Sequence, residues 1–323
     1  MKGRYLLYYN IQCLPALTPD RPAMPCPAFC RYRPSPVLIL VLLAALGLLA
    51  GPARAAPLPV VAAETVWGDI ARQVGGPDVA VASILTNPAT DPHLFEASPS
   101  DGRIVGGARI VIANGGGYDG WLDRLADADA RTRPVLLVVA GLVGWHDGDN
   151  AHFWYDLADV RTLATAFAGA CADLMPDRRA ALQDRLHAFL ASLDPLQARI
   201  DALRAHYAGV PVTASEPVFG DMARAAGLAM QDEAFQRAVM NGTDPAPSDV
   251  ARFEGNLTGR HVRVLIVNDQ TAGPATDRLD GLARAAGIPV LRVGESLPPG
   301  MRYQDWIAGT LDRLSQALSR GVP

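Results

Sequence analysis

Residues 176–207 read PDRRAALQDRLHAFLASLDPLQARIDALRAHY. Leu182, Leu186, Phe189, Leu190, Leu193, Leu196, Ile200 and Leu203 recur mostly three or four apart, with arginine and aspartate between them. That period belongs to an amphipathic helix. It predicts one helix of about 30 residues, or two helices broken near Asp194-Pro195, where proline removes a backbone donor. The rest of the chain is arranged around this stretch.

On its N-terminal side, short apolar runs alternate with helical patterns. Residues 59–64 (PVVAAE), 79–85, 108–113 (ARIVIA) and 134–140 (PVLLVVA) read as buried strands, and residues 65–74, 98–107 and 121–128 as helices. Past the long helix the alternation restarts, with strands at 210–214, 262–267 and 288–293 and helices at 220–226, 274–286 and 303–318. Apolar strands that alternate with helices form parallel sheets covered on both faces. The expected fold is therefore α/β: two lobes with mostly parallel sheets flanked by helices, bridged by one long rigid helix. Residues 56–175 are the N-terminal lobe, 176–207 the linking helix and 208–323 the C-terminal lobe.

The first 55 residues stand apart. Residues 37–50 (VLILVLLAALGLLA) are apolar, follow Arg31 and Arg33, and precede Ala53-Arg54-Ala55. A short apolar core behind basic residues and before small ones is a secretory signal, and it is too short to span a bilayer comfortably. Cleavage is expected after Ala55. Residues 1–23, before the signal, read as an extraneous N-terminal extension, with Met24 as an alternative start. Cys13, Cys26 and Cys30 leave with the first 55 residues, and only Cys171 remains. An intramolecular disulfide and a cysteine metal cluster are thereby excluded. Six basic residues and one acid also leave, so the remainder is more acidic than the whole chain at −4. That balance argues against nucleic acid or an anionic membrane as the partner.

The chemistry-bearing residues gather just past predicted strand ends, where open α/β sheets bind ligands. His93 lies in Asp91-Pro92-His93 after the second strand. Ser98-Pro99-Ser100-Asp101 then reads as a capped helix start. His152 follows the fourth strand in Asn150-Ala151-His152-Phe153-Trp154-Tyr155-Asp156. His146, among Asp147 and Asp149, reads either as a solvated loop residue or as a metal ligand. Glu216 ends the first strand of the second half, and Asn268, Asp269, Gln270 and Glu295 stand past the later ones. Two imidazoles and one or two carboxylates make a nitrogen/oxygen site for Zn²⁺, Mn²⁺ or Fe²⁺. Gly115-x-Gly117-x-x-Gly120 matches a dinucleotide fingerprint formally. It follows the third strand rather than the first, and no ribose-binding acid follows, so it reads as a tight turn.

Four motifs in register carry a resemblance. Asp91-Pro-His-Leu-Phe-Glu-x-Ser-Pro-Ser-Asp101, Asn114-Gly-x-Gly-Tyr-Asp-x-Trp121, Asn150-x-His-x-Trp-Tyr-Asp156 and Glu216-Pro-Val-Phe-Gly220 resemble the zinc/manganese-type solute-binding proteins of bacterial ABC importers. Gly287-Ile-Pro-Val290, Glu295-Ser-Leu-Pro-Pro-Gly300 and Tyr303-Gln-Asp-Trp306 extend it to the C-terminus. The resemblance implies two α/β lobes bridged by a rigid helix, with His93, His152, Glu216 and Asp269 as metal ligands. Asp269 is the nearest match to an aspartate that many members carry in the loop after the 262–267 strand. A glutamate at position 216 is often associated with manganese and a histidine there with zinc.

The function so implied is capture of Zn²⁺ or Mn²⁺ outside the cytoplasmic membrane, by a periplasmic or extracellular monomer that delivers the ion to an ABC permease. Affinity should fall as pH drops through about 6–7, because only neutral imidazole binds metal. Two other classes are a zinc hydrolase, for which H-E-x-x-H is missing from the sequence, and a surface adhesin of the same fold.

Overall fold

The structure, a computed structural model, describes residues 56–88, 90, 95–128, 133–271 and 273–320. The expected signal segment and His93 lie outside the described residues. In the first half, β1 (Leu58–Glu64) leads into α1 (Thr65–Gly75), followed by β2 (Val79–Leu85), α2 (Pro99–Gly106), β3 (Ile110–Ala113), α3 (Gly120–Ala128), β4 (Val135–Val138) and α4 (Val139–Val143). These strands form a parallel sheet in the order β2-β1-β3-β4. The second half repeats that order. β5 (Pro211–Ala214), β6 (Ala229–Met230), β7 (Leu265–Asn268) and β8 (Val290–Val293) form a parallel sheet β6-β5-β7-β8. Its helices are α8 (Gly220–Ala225), α9 (Glu233–Met240), α10 (Pro247–Thr258), α11 (Pro274–Ala286) and α12 (Tyr303–Arg320). The two halves are therefore topological copies, and each reverses strand order between its first and third strand.

Between the halves run α5 (Leu157–Leu174), α6 (Arg179–Ser192) and α7 (Asp194–Tyr207). The long predicted helix is thus two helices meeting at Leu193, which keeps right-handed helical angles. Pro195 sits in the first turn of α7, where its missing N–H is tolerated. Arg161, from α5, donates to the Leu190 carbonyl at 3.0 Å and to Asp194 at 2.9 Å, so the bend is held from outside. Arg185 ties α6 to the first half through Val74 O and Asp78, and Arg199 ties α7 to Asp312 of α12.

Leu182, Leu186, Phe189, Leu193, Leu196, Ile200 and Leu203 are all buried, as their spacing requires. They belong to one apolar core that also holds Val60, Ile110 and Ile112 of the first sheet and Val212 and Ile266 of the second. The lobes share a packed interior rather than a flexible tether. Two smaller cores fill the outer faces, one around Val61, Val111 and Leu122, the other around Phe253, Leu257 and Leu265.

Five features depart from expectation. The apolar run 134–140 is a strand only to Val138, then turns helical. α5, an 18-residue helix, α9, α10 and the two-residue edge strand β6 carried no sequence expectation. Short apolar runs do not distinguish strand from buried helix by periodicity, and a two-residue strand has no period to read. Among the described residues, no helix is long and apolar enough to cross a membrane.

Candidate metal centre

The loops past the strand ends of the two sheets face each other. His152 stands just before a short 3₁₀ turn, Phe153–Tyr155, that leads into α5, whose start Asp156 caps by accepting from Ala158 N–H. The His152 side chain is completely buried. Its Nδ1 lies 2.6 Å from the Asn150 side-chain oxygen. An amide oxygen only accepts, so Nδ1 carries the proton and Nε2 presents its lone pair. That Nε2 points at Glu295 Oε2, 3.3 Å away. Tyr118 and Trp154 pack edge-on around the imidazole, and the Tyr118 hydroxyl donates to the same Glu295 oxygen at 2.8 Å.

Two carboxylates from the second half complete the cluster. Glu216 follows β5 and Glu295 follows β8, and both are almost wholly buried. The Asn268 amide joins them, donating to Glu216 Oε2 at 3.1 Å and to Glu295 Oε1 at 2.5 Å. Burial pushes the Glu216 carboxyl up, against hydrogen bonds from Thr271 and Asn268, and Glu295 adds to the rise. Among the described residues, no three His, Cys, Asp or Glu side chains already stand as a metal shell. The described donors nevertheless suit a dication. One neutral imidazole and two carboxylates balance its charge in a site shielded from water, where an unbalanced charge would be costly.

Asp269, expected in the cleft, is elsewhere. Its carboxylate is half-exposed and pairs with Arg292 at 3.1 Å. Asp269 lies in the turn just past β7, its N–H making the last ladder bond, to Val293 O, and there its side chain turns out to Arg292. Asn268 and Gln270 face inwards, and Asp269 faces out. Glu295, present in the sequence reading as one of several strand-end acids, occupies the cleft instead. His146 is fully on the surface, with Nδ1 3.7 Å from Asp149. His93 lies outside the described residues; Thr90, just before its loop, receives a hydrogen bond from Gln270 Nε2 through its carbonyl.

The glycine-rich turn after β3 is structural, as its position in the chain suggested. Gly115, Gly116 and Gly117 all have positive φ, and a Cβ on Gly115 would stand 2.5 Å from Val138 Cγ1. The Asn114 and Gly115 N–H groups, which a phosphate would need, are taken by the Asp119 carboxylate at 2.7 Å each. Asn114 in turn accepts from Trp67 Nε1 and donates to Ala151 O, fixing the segment that carries His152.

Two copies of one parallel-sheet unit, a shared apolar core and a buried nitrogen/oxygen cluster at the facing loops define a two-lobed protein with its candidate site between the lobes. The chain belongs to the family described as zinc-uptake complex component A, periplasmic (ZnuA), whose model matches residues 60–317. It is 36% identical over 112 residues to the high-affinity zinc uptake system protein ZnuA of Paracoccus denitrificans, a match covering 35% of this chain and 34% of that one. It is 26% identical over 143 residues to the manganese-binding lipoprotein MntA of Halalkalibacterium halodurans, covering 43% and 47%. The matched segments thus span about half, or less, of the length of these curated relatives. The fold superposes on the periplasmic zinc-binding protein TroA of Treponema pallidum with a TM-score of 0.68 at 17% identity, covering 81% of this chain and 99% of that one.

Proposed function

We propose that this protein captures a divalent transition metal, Zn²⁺ or Mn²⁺, outside the cytoplasmic membrane and delivers it to the permease of an ABC importer. The observation that carries the reading is the buried His152 Nε2, poised as a lone-pair donor 3.3 Å from the Glu295 carboxylate. Family membership and the description of the related zinc and manganese binders support the same cargo. The ligands are His152, Glu216 and Glu295 from the described residues, with His93 from its sequence motif and Glu295 in the role first given to Asp269. The protein is exported by the segment ending at Ala55, acts as a monomer and has no catalytic activity of its own.

The residues perform the capture in a simple order. Asn150 holds the imidazole in the metal-binding tautomer, as an acceptor on the far nitrogen does for ligating histidines. The aromatic walls of Tyr118 and Trp154 keep water from the imidazole. Burial pushes the Glu216 carboxyl up, and only the carboxylate binds a dication, so proton and metal compete for it. Because ligands come from both halves, cargo binding fastens one lobe to the other, and the fastened shape is what a permease would read.

Calorimetric titration of metal-stripped protein with Zn²⁺ and Mn²⁺, together with elemental analysis of protein taken from its native compartment, tests this. Stoichiometric binding of one ion is expected. Failure to bind Zn²⁺ and Mn²⁺ alike, with neither ion in the native protein, would overturn it.

A further inference from the structure

We propose that Tyr118 is a positioning residue for the cargo site: its hydroxyl reaches across from the first half to hold Glu295 Oε2 at ligating distance from His152 Nε2 before the ion arrives. The inference rests on the assignment of His152 and Glu295 as ligands and deepens it.

The two donor atoms stand 3.3 Å apart. A tetrahedral ion with bonds of about 2.0–2.1 Å holds neighbouring donors about 3.3 Å from each other, so the spacing already fits. The pair does not favour that spacing by itself. With its proton on Nδ1, His152 turns a lone pair towards a carboxylate oxygen. Two electron-rich atoms repel at that range, and more so where water is shut out. Something must hold Glu295 there. Tyr118 O–H donates to that same Oε2 at 2.8 Å, and the Asn268 amide donates to Oε1. A carboxylate oxygen has two lone pairs, so Oε2 can accept from the phenol and still face the ion. Asn268 belongs to the same half as Glu295, whereas Tyr118 comes from the half that carries His152. The Tyr118 bond therefore registers Glu295 against the imidazole, and the Asn268 bond registers it against its own half.

The tyrosine itself is hard to move. It is buried, and its ring packs edge-on against His152 and Trp154, with centroids 5.8 and 5.2 Å away. Its N–H donates to Gly115 O at 3.1 Å, which closes the turn after β3. The next residue, Asp119, clamps the Asn114 and Gly115 N–H groups of the same turn. The phenol oxygen is thus carried by a braced turn of one half and delivered to a ligand of the other.

The test is a double-mutant cycle of wild type, Tyr118→Phe, Glu295→Ala and the double variant, read by competitive Zn²⁺ titration, with melts in chelator to show that each is folded. Tyr118→Phe keeps the ring and removes only the hydroxyl. It should lose about tenfold or more in Zn²⁺ affinity, the usual cost of removing a group that orients a ligand. In the Glu295→Ala background the same change should cost less than about twofold, because the group it acts through has gone. An equal loss in both backgrounds would overturn the proposal, and so would wild-type affinity in Tyr118→Phe. A second measurement needs no variant to fold. Zn²⁺ drawing on Oε2 weakens the bond from the phenol, so titrating wild type should shift near-ultraviolet tyrosine absorption to shorter wavelength until the site is full. Saturation with no tyrosine shift would also overturn the proposal. If wild type binds neither Zn²⁺ nor Mn²⁺, or if Glu295→Ala binds as wild type does, the ligand assignment itself has failed and the proposal falls with it.

Discussion

His152 and Asn150 form a side-chain hydrogen bond of 2.6 Å, and the same Asn150 reaches the other half of the molecule through its NH₂, donating to Pro217 O at 3.1 Å and Asp221 at 2.8 Å. One amide therefore sets the imidazole tautomer and links the His152 loop to the turn that follows Glu216. Asn150→Ala should lower Zn²⁺ affinity by roughly 10- to 100-fold, the range for losing a partner that orients a metal-binding histidine. Calorimetry reads the loss. Asn150→Asp, which keeps an acceptor for Nδ1–H, should recover part of it.

Glu295 and Asp269 are close in sequence space to the same expectation and far apart in environment. Glu295→Gln should reduce Zn²⁺ affinity by about tenfold or more, because it removes a charged ligand. Asp269→Asn should leave affinity unchanged and cost at most about 1 kcal/mol of stability, the worth of an exposed pair with Arg292. Side-by-side metal titration and thermal melts decide between the two acids; the reverse pattern would restore Asp269 to the site.

Asp159, in the first turn of α5, makes stability depend on pH. Burial first, then the neighbouring Asp156 and Asp221 carboxylates, push it up to about 7. A carboxyl raised in the folded state favours folding while protonated. Its contribution is fully present below the ordinary aspartate range and is lost as pH rises through about 7. Asp159→Asn should therefore melt higher than wild type at pH 8, with the gap closing towards pH 4. The side chain is only half-buried, so the gap should amount to roughly 1 kcal/mol or less. Melting curves across that range check the sign.

Gly115→Ala tests the turn that fixes the His152 segment. Its φ of 73° favours glycine, and the new methyl would lie 2.5 Å from Val138 Cγ1. A left-handed backbone costs a side-chain-bearing residue about 1–2 kcal/mol and overpacking about 1–3 more. A drop of several degrees in Tm is expected by calorimetry. A melt equal to wild type would mean that the turn relaxes freely.

Cargo should also stabilise the fold. Saturating Zn²⁺ at about a thousand times its Kd adds about 4 kcal/mol by mass action. Thermal melts with and without a chelator should differ accordingly, and the difference should shrink in Glu295→Gln.

The sequence by itself determined the architecture. Leu182 to Leu203 announced a helix by period, and apolar runs between helical patterns announced parallel strands, because those features depend on local spacing and on which side chains avoid water. It also located Glu216 just past the end of β5, a local feature too; His152, expected past the fourth strand, comes after the short helix α4. The bend at Leu193 was half legible in Asp194-Pro195, but Arg161, which holds it, comes from a helix the sequence did not announce. Tertiary structure alone decided which acids share the cleft. Asp269 and Glu295 both follow a strand, and only the turn taken just past β7 sends Asp269 out to Arg292 and leaves Asn268, the last strand residue, between the two carboxylates. Which way a side chain leaves a turn is set by contacts with β8 and the facing loops. Those partners are distant in sequence, so composition and motif do not announce whether an acid joins a surface ion pair or the chemistry of the site.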